Sequence, residues 1–417
     1  MNKNIKLAVA GAVLAMSASA ANAGIIIPAG EWTLDVNGNV NAYAIFGKAK
    51  GQGTITGATF GSHAQVRDAA SEDRSQGINT GLLPAWLGFS GTTRQNDLDV
   101  GFTISMQPNV SDNSVSGDNK TPLFRQANLT FGDKSWGSFK LGKDIGIFAS
   151  NAILNDMTLL GVGGTGILPS TANVGSGGST TLGGIGTGYI YAGWKGQIAY
   201  TTPNFNGFQA TVGITNPNQG LASSGATSAT AALYQDRFGL EGQANYSFTS
   251  DALTGKVWVG GASYKVKHAY ITSSSTAYEH TATAADVGVN LNAGNAGLTA
   301  YYYTADGAGT TMWMNAATSA AGRTRDSDGG YIQATYKIPT GTKIGLAYGV
   351  SNLDLASDET ASSSSIVKQN ERMTIGAYHP LTKHLNLVAE YNNVEARAHN
   401  GTRNESNTGS LGAILFF

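Results

Sequence analysis

The 417-residue sequence contains no cysteine, which excludes disulfide bonds, zinc–thiolate sites and cysteine nucleophiles. Charged residues are also scarce: they make up 13% of the chain, about half of the ~25% found in typical globular proteins. Without Lys3 and Lys6, the chain has 24 basic and 27 acidic residues. This balance argues against nucleic acid as a partner. The six histidines are scattered without metal-binding spacing, so we expect no metal and no other cofactor.

Long apolar runs are also missing. The chain has no run of 18 apolar residues after residue 23, so helical membrane spans are not expected. The first 23 residues have the pattern of a signal peptide: Lys3 and Lys6 precede an apolar stretch at residues 7–16, and a small-x-small site follows at residues 21–23. That stretch is too short for a spanning helix, which needs ~20 residues. We predict cleavage after Ala23, export from the cytoplasm, and one mature domain over residues 24–417.

Glycine is abundant, with 56 residues, and apolar residues recur at every second position. Such alternation is typical of strands with one apolar and one polar face. The pattern is clearest in three apolar sets: Leu34, Val36, Gly38, Val40, Ala42, Ala44 and Phe46; Leu98, Val100, Phe102, Ile104 and Met106; and Phe238, Leu240, Gly242, Ala244, Tyr246 and Phe248.

The connections between these strands alternate between short and long. Seven short turns are predicted near residues 94–97, 132–137, 203–207, 249–255, 294–297, 339–342 and 380–383. Eight long polar loops are predicted at residues 47–80, 108–121, 145–188, 215–236, 268–281, 306–328, 352–368 and 396–408. Sixteen antiparallel strands with this asymmetry indicate a closed transmembrane β-barrel of the bacterial outer membrane. Aromatic residues predicted near the short turns suit an interfacial girdle: Phe131, Phe139, Phe208, Phe248, Tyr348 and Tyr391.

Three segments resemble those of Gram-negative trimeric porins. Residues 200–208 read YTTPNFNGF, which is similar to the porin hairpin pattern Tyr-x-x-Pro-x-Phe-x-Gly-Phe. Residues 136–144 read WGSFKLGKD, which resembles the porin segment leading into the third external loop. The chain ends on the alternating residues Leu411, Ala413, Leu415 and Phe417, similar to the assembly signal of outer-membrane proteins.

This resemblance covers the whole mature chain and implies an all-β fold whose third external loop folds inward. It also implies a passive diffusion channel for ions and small hydrophilic solutes, assembled as a homotrimer among outer-membrane lipid and lipopolysaccharide. One departure is that Trp86, Ser90 and Lys143 stand where porins of this type often have arginine. The basic cluster of the channel is therefore expected to be thin.

The third loop, residues 145–188, contains one charged residue, Asp156, which is the candidate acid of the pore constriction. Four basic residues are candidates for the facing wall: Arg372, Lys143, Lys195 and Arg125. Arg372 alternates with apolar neighbours and belongs on the inner face. Lys143 and Arg125 share the parity of outward apolar residues, so each needs a β-bulge or a position at the rim. Since basic candidates outnumber Asp156, we expect weak anion preference.

Other functions were weighed against the channel. The segment GVGGTG at residues 161–166 matches GxGxxG, but no helical pattern follows it, so a dinucleotide site is not expected. No nucleophile-elbow, zincin or EF-hand motif is present. The main alternative is a substrate-specific porin for anions or organic acids. An outer-membrane enzyme of the phospholipase type is a weaker alternative, and we predict that the protein is not an enzyme.

Overall fold

The structure is a computed structural model that describes residues 24–51, 53, 55–57, 73–108, 110, 123–164, 180–216, 231–234, 236–270, 278–311 and 313–417. The predicted signal peptide, residues 1–23, lies outside them. The described strands, in chain order, are β1 (Ile25–Ala29), β2 (Trp32–Lys50), β3 (Arg74–Asn79), β4 (Trp86–Gln95), β5 (Leu98–Gln107), β6 (Leu123–Asp133), β7 (Gly137–Ile145), β8 (Trp194–Thr201), β9 (Phe208–Thr215), β10 (Ala231–Tyr234), β11 (Gly239–Thr249), β12 (Thr254–Tyr270), β13 (Tyr278–Ala293), β14 (Ala296–Asp306), β15 (Asp326–Lys337), β16 (Lys343–Leu353), β17 (Val367–Pro380), β18 (Leu385–Ala398) and β19 (Arg403–Phe416).

These segments form one closed antiparallel barrel of sixteen strands. Strands β3 and β4 both pair with β2 and form one interrupted strand, and β10 and β11 both pair with β12. Strand β19 pairs with β2 and closes the barrel. The short strand β1 pairs with the beginning of β2, beyond the end of β19. Closure matters because the hydrocarbon core has no water to form hydrogen bonds with the backbone N–H and C=O groups of an open strand edge.

The predicted faces are confirmed by exposure to the outside. In β2, Val40 and Phe46 are exposed while Tyr43 and Ile45 are buried inside. In β19, Leu411 and Leu415 are exposed, whereas Ile414 and Phe416 are buried. Two adjacent strands thus keep their apolar residues towards lipid, although some large side chains also fill the interior. Among the described residues, no helix is long and apolar enough to cross a membrane.

The seven short turns lie where the sequence predicted them. The connection between β4 and β5 has two residues, Asn96 and Asp97, both with positive φ. This is the backbone of a type I′ turn, whose twist matches that of the flanking strands. Aromatic rings gather near these turns: Phe139 stacks on Phe131 with ring centres 5.5 Å apart, and Tyr200 lies 5.2 Å from Phe139.

Tyr348 and Tyr391 do not fit the predicted turn-side girdle, because they lie near the middle of β16 and β18. Their hydroxyl groups donate to Glu371 and Asn407, at 2.8 and 2.6 Å respectively. These two tyrosines therefore lie farther from the short turns than the predicted girdle does.

The predicted eighth loop, residues 396–408, is wrong: β18 continues to Ala398 and only four residues connect it to β19. Ion pairs across the strands explain why this polar stretch is extended. Arg397 pairs with Glu371 at 3.1 Å, and Arg403 pairs with Glu395. The loop at residues 268–281 is likewise shorter than predicted, since β12 reaches Tyr270 and β13 begins at Tyr278. Polar composition marks the end of the lipid zone, while strand pairing continues beyond it.

Two external connections are held together above the barrel. Arg325 donates through Nε to Glu359 Oε2 at 2.8 Å, which joins residues 307–325 to residues 354–366. The hydrogen bond from Arg325 lowers the pKa of Glu359 below its ordinary value. This pair therefore keeps its charge at neutral pH.

Candidate functional site in the barrel interior

The connection after β7 contains an inner segment, which we define as residues 146–164. It begins at a carboxylate on β11: Glu241 Oε2 accepts hydrogen bonds from the backbone N–H groups of Ile147 at 2.6 Å and Phe148 at 3.1 Å. Its other oxygen accepts from Lys195 at 2.7 Å and from Tyr264. Glu241 is fully buried. A charged acceptor with several donors can satisfy backbone amides that have no access to water.

The other end of the inner segment is bound to β18. Glu390 Oε2 accepts from the N–H groups of Val162 and Gly163, both at 2.8 Å. Glu390 Oε1 accepts from the hydroxyl of Tyr378 at 2.6 Å. Glu241 and Glu390 thus hold the two ends of one segment through pairs of consecutive amides on different parts of the wall.

Between these ends, the segment contains the short helix α1 (Ser150–Asn155) and a 3₁₀ turn at Met157–Leu160. Gln333 on β15 accepts from the N–H of Met157 at 2.9 Å and donates to the carbonyl of Asn155 at 2.7 Å. Tyr43 on β2 donates to the carbonyl of Leu160 at 2.8 Å. The contacts run from β11 past β15 to β18 and β2, which places the inner segment across the barrel.

One side of the interior is closed by aromatic rings. Tyr301 stacks on Tyr331 with ring centres 5.7 Å apart, and Trp258 lies 6.4 Å from Tyr301. Tyr189, from the far part of the same connection, packs edge-on against Tyr331 at 5.8 Å. All four side chains are buried. These rings, on β12, β14 and β15, pack beside α1, and the Tyr331 hydroxyl donates to the carbonyl of Ala152 in that helix. Because they fill this side of the interior, the open part of the barrel lies on the other side.

The structure places Asp156 beside Arg372, the first of the candidates for the facing wall. Arg372 Nη2 lies 3.6 Å from Asp156 Oδ2, and both side chains are 1% exposed. The same carboxylate oxygen accepts from the Tyr189 hydroxyl at 2.9 Å, and the other oxygen accepts from Thr158 at 2.9 and 2.8 Å. Arg372 also donates to Thr374 at 2.7 Å. The pair therefore fastens the inner segment to β17.

The remaining basic candidates occupy three different environments. Lys195 is buried and paired with Glu241. Lys143 lies on the outward face of β7 and donates to the carbonyl of Phe124 at 2.8 Å, so it takes no part in the interior. Arg125 sits at a bulge, where the register between β5 and β6 shifts at Ser105 and Met106. Its guanidinium lies over the ring of Trp194, 5.8 Å from the ring centre.

The sequence interpretation missed several interior carboxylates. Glu241, Asp286 and Glu390 are all buried, and each alternates with outward apolar residues along its strand. That alternation was the signal that could have found them. These carboxylates add acidic charge to an interior in which the sequence had singled out only Asp156. Among the described residues, no three His, Asp or Glu side chains are grouped to hold a metal ion.

The predicted assembly residues lie along the closing strand. Leu411, Ala413 and Leu415 occupy one face of β19, opposite Ile414 and Phe416. Phe417 follows the strand, and its N–H and C=O groups exchange hydrogen bonds with Gly38 at 3.0 and 2.8 Å. The last residue of the chain therefore extends the seam that closes the barrel.

Comparisons with known proteins agree with this architecture. A family profile for Gram-negative porins matches residues 8–399, while no curated protein sequence matches the chain. Among solved structures, the outer membrane channel DcaP of Acinetobacter baumannii is similar at 15% identity and a TM-score of 0.66, covering 94% of this chain and 99% of that chain.

Two further structures are similar. OmpF of Salmonella typhi, in complex with daunomycin, has 14% identity and a TM-score of 0.54, covering 94% of this chain and 100% of that chain. The trimer form of OmpT, an outer membrane protein of Vibrio cholerae, has 16% identity and a TM-score of 0.52, covering 93% and 99%. At such low identities, these likenesses concern the fold.

Proposed function

Because the chain belongs to the Gram-negative porin family, it lies in the outer membrane and forms a channel for passive diffusion, and we propose that the inner segment sets the width of that channel. The observation that carries this proposal is the double attachment of the segment, through Glu241 at one end and Glu390 at the other. A sixteen-stranded barrel is wide enough for an aqueous channel. Selectivity then depends on the side chains at its narrowest level.

We infer weak charge selectivity. Asp156 and Lys195 are each paired with an opposite charge, and Lys140 on the inner face of β7 pairs with Asp144 at 2.5 Å. Such pairs offer little net field to a passing ion. The channel is proposed to admit small hydrophilic solutes of either sign, without catalysis and without a cofactor.

Asp156→Asn is expected to shift the permeability towards anions, because Arg372 then keeps a positive charge without its partner. Arg372→Ala is expected to shift the permeability towards cations, because the Asp156 carboxylate remains. Both shifts are measured as reversal potentials across planar bilayers under a KCl gradient.

Lys143→Gln serves as the matched control, since Lys143 is a cation on the outward face and its removal is expected to leave the reversal potential unchanged. If neither Asp156→Asn nor Arg372→Ala moves the reversal potential, the pair is not part of the diffusion path.

The assembly unit is proposed to be a homotrimer, surrounded by outer-membrane lipid and lipopolysaccharide. The outward face of β2 supports this proposal because it has small residues at Ala42 and Ala44, which allow close approach of a second barrel. The trimer form of the similar OmpT structure is consistent with the same arrangement.

The mature chain is proposed to begin at Gly24, after removal of residues 1–23. A Cβ atom at Gly24 would lie 2.2 Å from Asp35 Oδ1, which places the Gly24 backbone directly beside this carboxylate. Asp35 Oδ1 is buried and accepts no hydrogen bond from the described residues. Cleavage would create a terminal ammonium group on this same Cα atom, beside the Asp35 carboxylate. Such a pair would stabilise β1 against β2.

Mass spectrometry of protein extracted from the outer membrane is expected to give a chain that starts at Gly24. The precursor that accumulates when export is blocked provides the comparison, since it retains residues 1–23. A mature protein with any other first residue would contradict both the cleavage site and the pairing with Asp35.

A further inference from the structure

A cavity of about 130 Å³ lies inside the barrel, between the inner segment, residues 180–194 and the beginnings of β4 and β6. Most of its lining is apolar, and its aliphatic part is formed by Leu82, Ile145, Ile153, Leu159, Leu182 and Ile185. An apolar cavity of about 150 Å³ is known to hold benzene. The cavity is thus large enough for a compact ring.

The cavity also contains one cation without an anionic partner. Arg125 lines it, and the β-bulge at this position explains how a residue of outward parity reaches the interior. In the part of the chain that the structure describes, the Arg125 guanidinium lies over the ring of Trp194. No carboxylate side chain is found among the described residues of the lining.

Two further donors belong to the same lining. Trp86 and Trp194 both line the cavity, and the indole N–H of each is buried with no acceptor among the described residues. Trp86 is 8% exposed. Buried donors without acceptors are uncommon and call for a partner. The lining therefore combines a guanidinium without an anionic partner and two tryptophan side chains with an aliphatic surface.

We propose that this cavity is a binding subsite for small carboxylates that carry one aromatic ring. The ring fills the aliphatic part, and the carboxylate accepts from Arg125, whose planar donor group matches carboxylate geometry. Hydrated inorganic anions lack the apolar body, and organic cations are repelled by Arg125. The proposal rests on the proposed channel function. It identifies small aromatic carboxylates as one class of solute that binds inside the channel during passage.

Benzoate is the probe for this subsite. Isothermal titration of the folded, detergent-solubilised protein is expected to show saturable binding of one benzoate per chain. Acetate, which has the charge without the ring, and benzamide, which has the ring without the charge, are each expected to bind at least about tenfold more weakly. Equal binding of all three would contradict the proposed recognition.

Arg125→Gln is expected to weaken benzoate binding by roughly ten- to hundredfold, the range for a lost hydrogen bond to a charged group. Lys143→Gln is the control, because it removes a cation from the adjacent strand on the outward face and should leave binding unchanged. Leu154→Trp tests the cavity independently, since Leu154 lines it and a larger side chain would occupy the space of the ring. Heat-modifiable gel mobility verifies that each variant is folded.

The channel function is tested separately by ion current in KCl without benzoate. A wild-type protein that conducts ions but does not bind benzoate overturns the subsite and leaves the channel intact. A wild-type protein that binds benzoate but conducts no ions overturns the channel function instead. Benzoate binding that survives both Arg125→Gln and Leu154→Trp would place the ligand elsewhere and also overturn the subsite.

Discussion

Replacing Phe417 by Asp is expected to reduce the amount of folded barrel in the outer membrane several-fold. The backbone of Phe417 extends the ladder that closes β19 against β2, through its two hydrogen bonds with Gly38. Its ring lies close to Gly38, because a Cβ atom added there would be 2.8 Å from the ring edge. A carboxylate in this position loses the apolar contact, and losses of 1–2 kcal/mol are enough to change abundance several-fold in cells. Deletion of Phe417 is expected to have a larger effect because it also removes both hydrogen bonds.

Outer-membrane fractions analysed on gels with and without heating give the amount of folded barrel directly. Phe205→Asp is the control: Phe205 is an exposed phenylalanine in the turn between β8 and β9, away from the closing seam. Similar yields of the Phe417 and Phe205 variants would show that the terminal residue has no special part in assembly.

Replacing Glu241 by Leu is expected to destabilise the barrel by roughly 3–5 kcal/mol, the cost of removing one partner of a buried ion pair. Lys195 would retain a charge in a site where both side chains are at most 2% exposed. The N–H groups of Ile147 and Phe148 would also lose their acceptor. Unfolding by urea in detergent measures the free energy, and single-channel recording detects any release of the inner segment as larger current fluctuations.

Glu279→Leu provides the control for that experiment. Glu279 pairs with Lys265 at 3.1 Å, but the two side chains are 45% and 39% exposed, and exposed pairs contribute about 0–1 kcal/mol. The double variant Glu241→Leu, Lys195→Met should recover part of the stability, since it removes the unpaired charge but leaves the two amides without an acceptor. A Glu241 variant as stable as the Glu279 variant would rule out the anchoring role.

The barrel itself could be predicted from the sequence because its determinants are local. Lipid on one face of every strand requires an apolar residue at every second position. Segments such as residues 34–46 and 98–106 have this pattern. Short turns are equally local, since a residue pair such as Asn96 and Asp97 tolerates the positive φ angles of its turn. The external ends of the strands were predicted less well, because pairing through ion pairs such as Arg397–Glu371 extends β-structure into polar sequence.

The candidate site was predictable only in part. The inward position of Arg372 followed from its alternation, and Asp156 was the one acid of the third loop, so the sequence supplied both members of that pair. Their meeting joins residues 216 positions apart, and it depends on how the inner segment crosses the barrel. No local pattern specifies that crossing.

The sequence by itself determined which residues face lipid and where the chain turns on its short side, because each of these follows from period-two alternation or from a few adjacent residues. Tertiary structure alone decided the chemistry of the interior. It paired Lys195 with Glu241 and brought Arg125 inward through a bulge. The physical reason is that alternation assigns a side chain to a face, whereas its partner on that face is set by strand register and by the path of the inner segment, which contacts β2, β11, β15, β17 and β18.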